Sequence, residues 1–322
     1  MKTLKNIFGL LLTSALTLSS CSTSDDADPM IFDTPTAEEF SDLREQALDA
    51  LRQDFQFDTN DGSTTFTSAN GVDITINAAC LSLNGNAVTG TVDIEYVELF
   101  DKANMLATNK PTMGVLPSGD KAMLISGGEF FIEATQAGQE IDLTCNVQLV
   151  IPTALTGGPD NEMTLWTGII DEDGDLAWEE ARDATGQGGV FAEGGEYYAF
   201  LNEFGWSNVD RFYNDPRPKT TLLVDAPDGY DYENSAVYLS YDGEETGLAN
   251  LDTYVSGMFS EHYGQIPVGL ECHVIFVTEE DGNWRYAIKS VTIAANDVIT
   301  IDLNETIVGT QAQLTTAING LP

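Results

Sequence analysis

The chain has 322 residues, with 13 Lys+Arg against 52 Asp+Glu and a formal net charge of −39. That balance excludes nucleic acid and anionic lipid surfaces as partners, because both are gripped by clustered cations. A hydrophobic content of 42% still supplies enough apolar side chains for two cores of ordinary domain size.

Lys2 and Lys5 precede an apolar run, Ile7 to Leu18, that is too short to span a bilayer. Leu18-Ser19-Ser20-Cys21 closes the run and is similar to the lipobox of bacterial lipoproteins. The resemblance implies that residues 1–20 are a removed signal peptide and that Cys21 carries the lipid; two or more acyl chains anchor a protein stably. Loss of Lys2 and Lys5 makes the mature chain more acidic still. Residues 21–34 form an acidic tether. Within it, Ser22 to Asp28 resembles the export signal that takes some Gram-negative lipoproteins to the outer face of the outer membrane. The expected location is therefore the outer membrane, lipid-anchored and facing the exterior.

Residues 35–56 predict an amphipathic helix of about five turns. Thr36-Ala37-Glu38-Glu39 is a capping box, and Phe40, Leu43, Ala47, Leu51 and Phe55 recur at helical spacing. Its apolar stripe is expected to dock on the domain that follows. From there the pattern alternates. Val72 to Ile76, Val92 to Val97, Glu129 to Thr135 and Ile141 to Pro152 read as strands, punctuated by Asp61-Gly62, Asn70-Gly71 and Asn84-Gly85. No helical pattern separates them, which disfavours a parallel sheet. The expected fold is mainly β: tandem antiparallel β-sandwiches with one N-terminal helix.

Asn70-Gly71-Val72 leading to Ile74-Thr75-Ile76, then Val88-Thr89-Gly90-Thr91-Val92 and Ser126-Gly127-Gly128-Glu129-Phe130, resembles ZU5-type extracellular sandwiches. The resemblance implies an interaction or scaffold module over residues 57–153. Residues 154–213 follow as a Trp-rich β segment joining the domains, with Trp166 and Trp178 in the strands of a hairpin. Trp206, Asn208 and Asp210 have the chemistry to hold a sugar, by an aromatic face and fixed polar groups. The simpler reading packs Trp206 and Phe212 between domains, caps a turn with Asn208 and Asp210, and pairs Arg211 with an acid. Residues 214–219 are a proline-containing linker. Residues 220–310 read as an immunoglobulin-like or prealbumin-like sandwich, with a hairpin at Glu280-Asp281-Gly282-Asn283. Its expected working loop runs from Gly243 to Pro267 and contains Tyr254.

Catalytic signals are sparse. His262 and His273 are the only histidines, and Cys272-His273 are strand neighbours whose side chains point to opposite faces. Asp171, Asp173 and Asp175 start like an EF-hand loop, but the glycine falls at the wrong position. Beyond Cys21 three cysteines remain, so at most one internal disulfide forms, with Cys80 and Cys145 one possible pair. The sequence reading is of a surface-anchored, non-enzymatic binding, adhesion or scaffold lipoprotein with no catalytic residues, metal ligands or cofactor. Its expected partners are the membrane, through the lipid, and a surface protein, matrix or glycan. Trp206, Asp210 and Tyr254 are the binding candidates. The alternative is a glycan-capturing or glycan-cleaving lipoprotein for nutrient uptake.

Overall fold

A computed structural model describes residues 34–170, 176–181 and 189–322. Cys21 with its flanking leader and tether, the acidic turn Asp171–Asp175 and residues 182–188 lie outside the described residues. The described chain is mainly β, with several sheets and a few short helices; most strand pairs are antiparallel as expected, but Lys219–Asp225 pairs in parallel with Asp297–Thr300, and Leu176–Glu180 with Met113–Val115.

The first helix, Ala37–Asp49, begins as expected: the Glu39 amide donates to Thr36 Oγ1 at 3.2 Å and the Thr36 amide returns a bond to Glu39 Oε2 at 2.8 Å. It stops at Asp49 instead of running to Phe55. Residues Gln53–Asp58 pair residue for residue with the strand Thr91–Leu99, and Phe55 stacks on Phe66 at 4.9 Å. Phe55 and Phe57 fit a period of two as well as Phe55 fits the helical stripe. The available strand partner decides between them.

An eight-stranded sheet has the strand Lys121–Gln136 at its centre, flanked by Thr91–Leu99 and Gly205–Phe212. The Trp hairpin forms as read, Thr164–Ile170 against Leu176–Glu180, and joins this sheet through Gly205–Phe212. A five-stranded sheet holds Asp73–Asn77, Val147–Pro152 and Glu196–Leu201. The expected strand from Ile141 to Pro152 is broken around Cys145, which is bonded to Cys80 with a Cα–Cα distance of 5.2 Å. The inner faces of these two sheets, among them Ile94, Phe130 and Ile132 against Ile74, Leu149 and Tyr197, lie in one apolar core.

C-terminal to the Asn214–Pro218 stretch, four strands and five strands form two further sheets, and no sheet mixes strands from either side of that stretch among the described residues. The hairpin at Asp281-Gly282 forms with φ of 51° and 76°, the two left-handed residues a tight turn requires. The Gly243–Pro267 excursion is not a loop. Ser256 and Gly257, at φ 54° and 86°, turn Thr253–Val255 into a hairpin with Met258–Pro267, which pairs with the strand Lys219–Asp225. A closing helix, Gln311–Asn319, carries its own Thr310/Gln313 capping box, which the sequence reading passed over.

The apolar core continues through both halves. A second cluster gathers Phe40, Leu43 and Ala47 of the first helix with Leu99, Met105, Tyr238, Ile275, Trp284 and Leu314. The first helix therefore docks on the outer face of the C-terminal sheet, at Glu271–Glu280, and on the short helix Lys102–Ala107. Phe40 meets the edge of Trp284 at 6.3 Å. The reason is area: a sheet face bearing Tyr238, Ile275, Val277 and Trp284 must be covered, and the helix stripe covers it.

Candidate functional site

Four separate stretches of sequence meet in a cleft of about 820 Å³, a volume within the range of small-ligand sites. The first helix supplies one wall with Ser41, Arg44 and Glu45. Thr108, Asn109 and Lys110 supply a second, just beyond the short helix Lys102–Ala107. The strand Ser235–Tyr241 forms the floor, and Asn250 to Tyr254 with Phe259 the far wall.

The polar groups of this cleft are fixed by one another. Asn109 takes the left-handed conformation, φ 53°, that follows a helix end and that asparagine tolerates. Its Oδ1 accepts from the Tyr238 hydroxyl at 2.6 Å, and that hydroxyl accepts from Arg44 Nη2 at 3.1 Å. The Arg44 guanidinium also lies 4.0 Å over the Phe40 ring, while its Nε is buried without a partner. On the far wall Asp252 is held by Lys121 Nζ at 2.7 Å and by the Tyr263 hydroxyl at 3.0 Å. Thr253 Oγ1 bonds His262 Nδ1 at 2.8 Å. Tyr254 packs on the edge of Phe259 at 5.2 Å, and Tyr232, 65% exposed at the rim, sits 5.7 Å from Tyr254. Burial, with Asp231 and Asp225 nearby, raises the Tyr254 phenol, so it remains a hydroxyl donor at neutral pH.

Of the sequence candidates, only Tyr254 lies in this cleft. Trp206 is half-buried on the outer face of the large sheet, its ring 5.3 Å from Phe131, with the Lys110 ammonium 5.3 Å above it. It edges a different, shallow groove with Glu179 and Glu203. Asp210 is fully buried and caps no turn; it stands within the strand Gly205–Phe212, as does Asn208. Burial raises its carboxyl well above the carboxylate range, against the opposing pull of Ser126, the Gly127 amide and Asn208. Arg211 pairs with Asp160 at 2.6 Å, as the packing reading expects. Arg44, Asn109 and Tyr232 had no local signal, since each matters only through segments brought together by folding.

The remaining chemistry-bearing groups stand apart from the cleft floor. His273 Nδ1 contacts Asp242 Oδ1 at 2.8 Å. Cys272 is fully buried and its thiol is pushed up to about 12, chiefly by burial. Among the described residues, no three His, Cys, Asp or Glu side chains converge as metal ligands. No family model matches the chain, and no curated protein matches it.

Proposed function

We propose that this is a lipid-anchored, non-enzymatic binding protein of the outer membrane, held by Cys21, that captures a glycan chain in the cleft between its first helix and its C-terminal half. One observation carries the reading. The cleft presents two adjacent tyrosine rings, Tyr232 and Tyr254, beside the fixed polar groups of Arg44 and Asn109 and the amide of Asn250. Aromatic faces beside preset hydrogen-bonding groups suit a ligand that is apolar on its ring face and polar at its rim. Asp252, the acid of the far wall, is already engaged by Lys121 and Tyr263, which favours capture over acid–base chemistry.

The finer architecture belongs to the same proposal: tandem antiparallel sandwiches, the first ZU5-like. It is supported by the division of the sheets at the Asn214–Pro218 stretch, three built from strands before it and two from strands after it. The nutrient-uptake alternative shares the capture step and differs in requiring turnover.

A Cys21→Ser form should lose lipid labelling and leave the membrane fraction; continued membrane association would remove the anchor from the proposal. That released form is then screened against glycans and surface extracts. Tyr254→Ala and Tyr232→Ala should abolish retention of the captured glycan in protein that still folds, with the melting temperature unchanged at the exposed Tyr232. Retention that ignores both substitutions rejects the cleft. Turnover of a polysaccharide, lost on replacing one carboxylate, rejects the non-enzymatic reading.

A further inference from the structure

On the face of the large sheet turned away from the shared core, two carboxylates are buried without adequate partners. Glu129 and Asp210 are both 0% exposed. Glu129 is the cross-strand partner of Asn208, and Asp210 that of Ser126, with the register shifting between Asn208 and Asp210. Gly127 and Gly128 admit this bulge. A Cβ on the first would meet the Val209 carbonyl at 2.9 Å, and one on the second the Phe100 ring at 2.6 Å, with φ already at +130°. Glu129 faces Asn208 across the strands, and Asp210 follows Asn208 by two, so all three share a face; the bulge adds Ser126, three residues before Glu129, to it.

The hydrogen bonds within the group stop short of satisfying it. Ser126 Oγ donates to Asn208 Oδ1 at 2.9 Å, and Asn208 Nδ2 donates to Asp210 Oδ2 at 2.5 Å. Asp210 Oδ1 and both oxygens of Glu129 are left buried with no hydrogen-bond partner. Lys110 is the cation that acts on Glu129, but its ammonium donates to the Thr108 carbonyl at 3.1 Å and lies over Trp206. Ionised, two carboxylates against one lysine would leave uncompensated negative charge in a dry environment, and each orphaned oxygen carries its desolvation penalty. Such oxygens are satisfied by a proton, a water or a cation.

We infer that Glu129 and Asp210, completed by the side-chain oxygens of Asn208 and Ser126, enclose a calcium ion. The donor set is all oxygen, which suits a hard cation and offers nothing to metals that select sulfur or nitrogen. Glu129 has both oxygens free for bidentate contact, and calcium accepts irregular coordination with water filling vacant positions. The sequence could not show this site, because 52 acids supply carboxylate pairs everywhere and only the pairing of two distant strands selects this one. Lys110 and Thr108 also line the cleft, so the ion would stiffen one wall of it. The inference stands independently of any ligand in the cleft.

Thermal melting of the purified protein in chelator, calcium, magnesium and sodium, at constant ionic strength, tests it; matching the ionic strength cancels diffuse attraction to the acidic surface. Calcium should raise the melting temperature saturably. Glu129→Gln or Asp210→Asn should weaken calcium binding by about tenfold or more, and Glu140→Gln, at an exposed strand end, should leave it unchanged. Should a variant fail to fold, terbium emission sensitised by Trp166 and Trp206 and displaced by calcium reads the site in the unaltered protein. A melting temperature indifferent to calcium, with Glu129→Gln stabilising in chelator, would mean that a proton holds the pair and would overturn the inference. Terbium emission that calcium does not displace, or a response to sodium or magnesium alone, would overturn it equally.

Discussion

Arg44 on the first helix reaches Tyr238 on a strand of the C-terminal half, 194 positions later, with Nη2 donating to the phenolic oxygen at 3.1 Å. This bond ties the first helix to the C-terminal half across the floor of the cleft and continues to Asn109. Arg44→Ala should therefore cost about 1–3 kcal/mol, the range for hydrogen bonds to charged groups and for a partner left unsatisfied. Tyr238→Phe should cost less than Arg44→Ala, because the cation–π contact with Phe40 survives. Urea denaturation of both variants measures the difference; equal midpoints would refute the ordering.

Trp206 is a packing residue. Truncation to Ala removes its contacts with Phe131 and Lys110, and large aromatic deletions cost about 3–5 kcal/mol when fully buried. Half-burial places the expected loss below that range. Melting temperature should fall while capture in the cleft persists, whereas Tyr254→Ala should abolish capture. Lost capture with full stability would reverse the assignment of the two residues.

Stability should fall as pH rises from the carboxylate range towards neutrality. Glu261 is buried, and desolvation lifts it from 4.5 to about 7 in spite of amide donors at Gly264 and Gln265. Glu129 and Asp210 are raised in the same direction by burial. Between the unfolded and folded values the folded state binds more protons, so each unit of pH favours unfolding. For Glu261 the loss is fully developed above pH 7 and amounts to roughly 3 kcal/mol by the linkage conversion. Denaturation midpoints from pH 4 to 8 should decline in chelator, and Glu261→Gln should flatten the slope. A midpoint independent of pH would contradict these burial assignments.

The Cys80–Cys145 bond closes a segment of 65 residues. Reduction, or replacement of both cysteines by Ala, should lower stability by about 2–4 kcal/mol, mainly by freeing the unfolded chain. Calorimetry with and without reductant measures the loss. Cys272 should react with thiol reagents only after unfolding, since it is buried and its thiolate is disfavoured. Labelling of Cys272 in the folded protein would be incompatible with that burial.

The sequence by itself determined most of the local structure. Period-two alternation and Asp-Gly turns specified the strands at Asp73–Asn77, Thr91–Leu99, Glu271–Glu280 and Asn283–Thr292, and the Thr36–Glu39 box specified the start of the first helix. These features are legible because they depend on residues two to four positions apart. Only the tertiary structure decided where the first helix ends, since Phe55 satisfies two periodicities and pairing with Thr91–Leu99 selects one. It also converted the presumed working loop into a hairpin on the edge of a sheet. Tyr254 was legible as an aromatic in a Gly- and Tyr-rich stretch, but its neighbours Arg44 and Asn109 were not. The face shared by Glu129 and Asp210 depends on which residue of one strand lies opposite Asn208 on the other, and that pairing joins segments about 80 residues apart. Spacing along the chain carries the periodicity of an element; it carries no record of which distant element covers it.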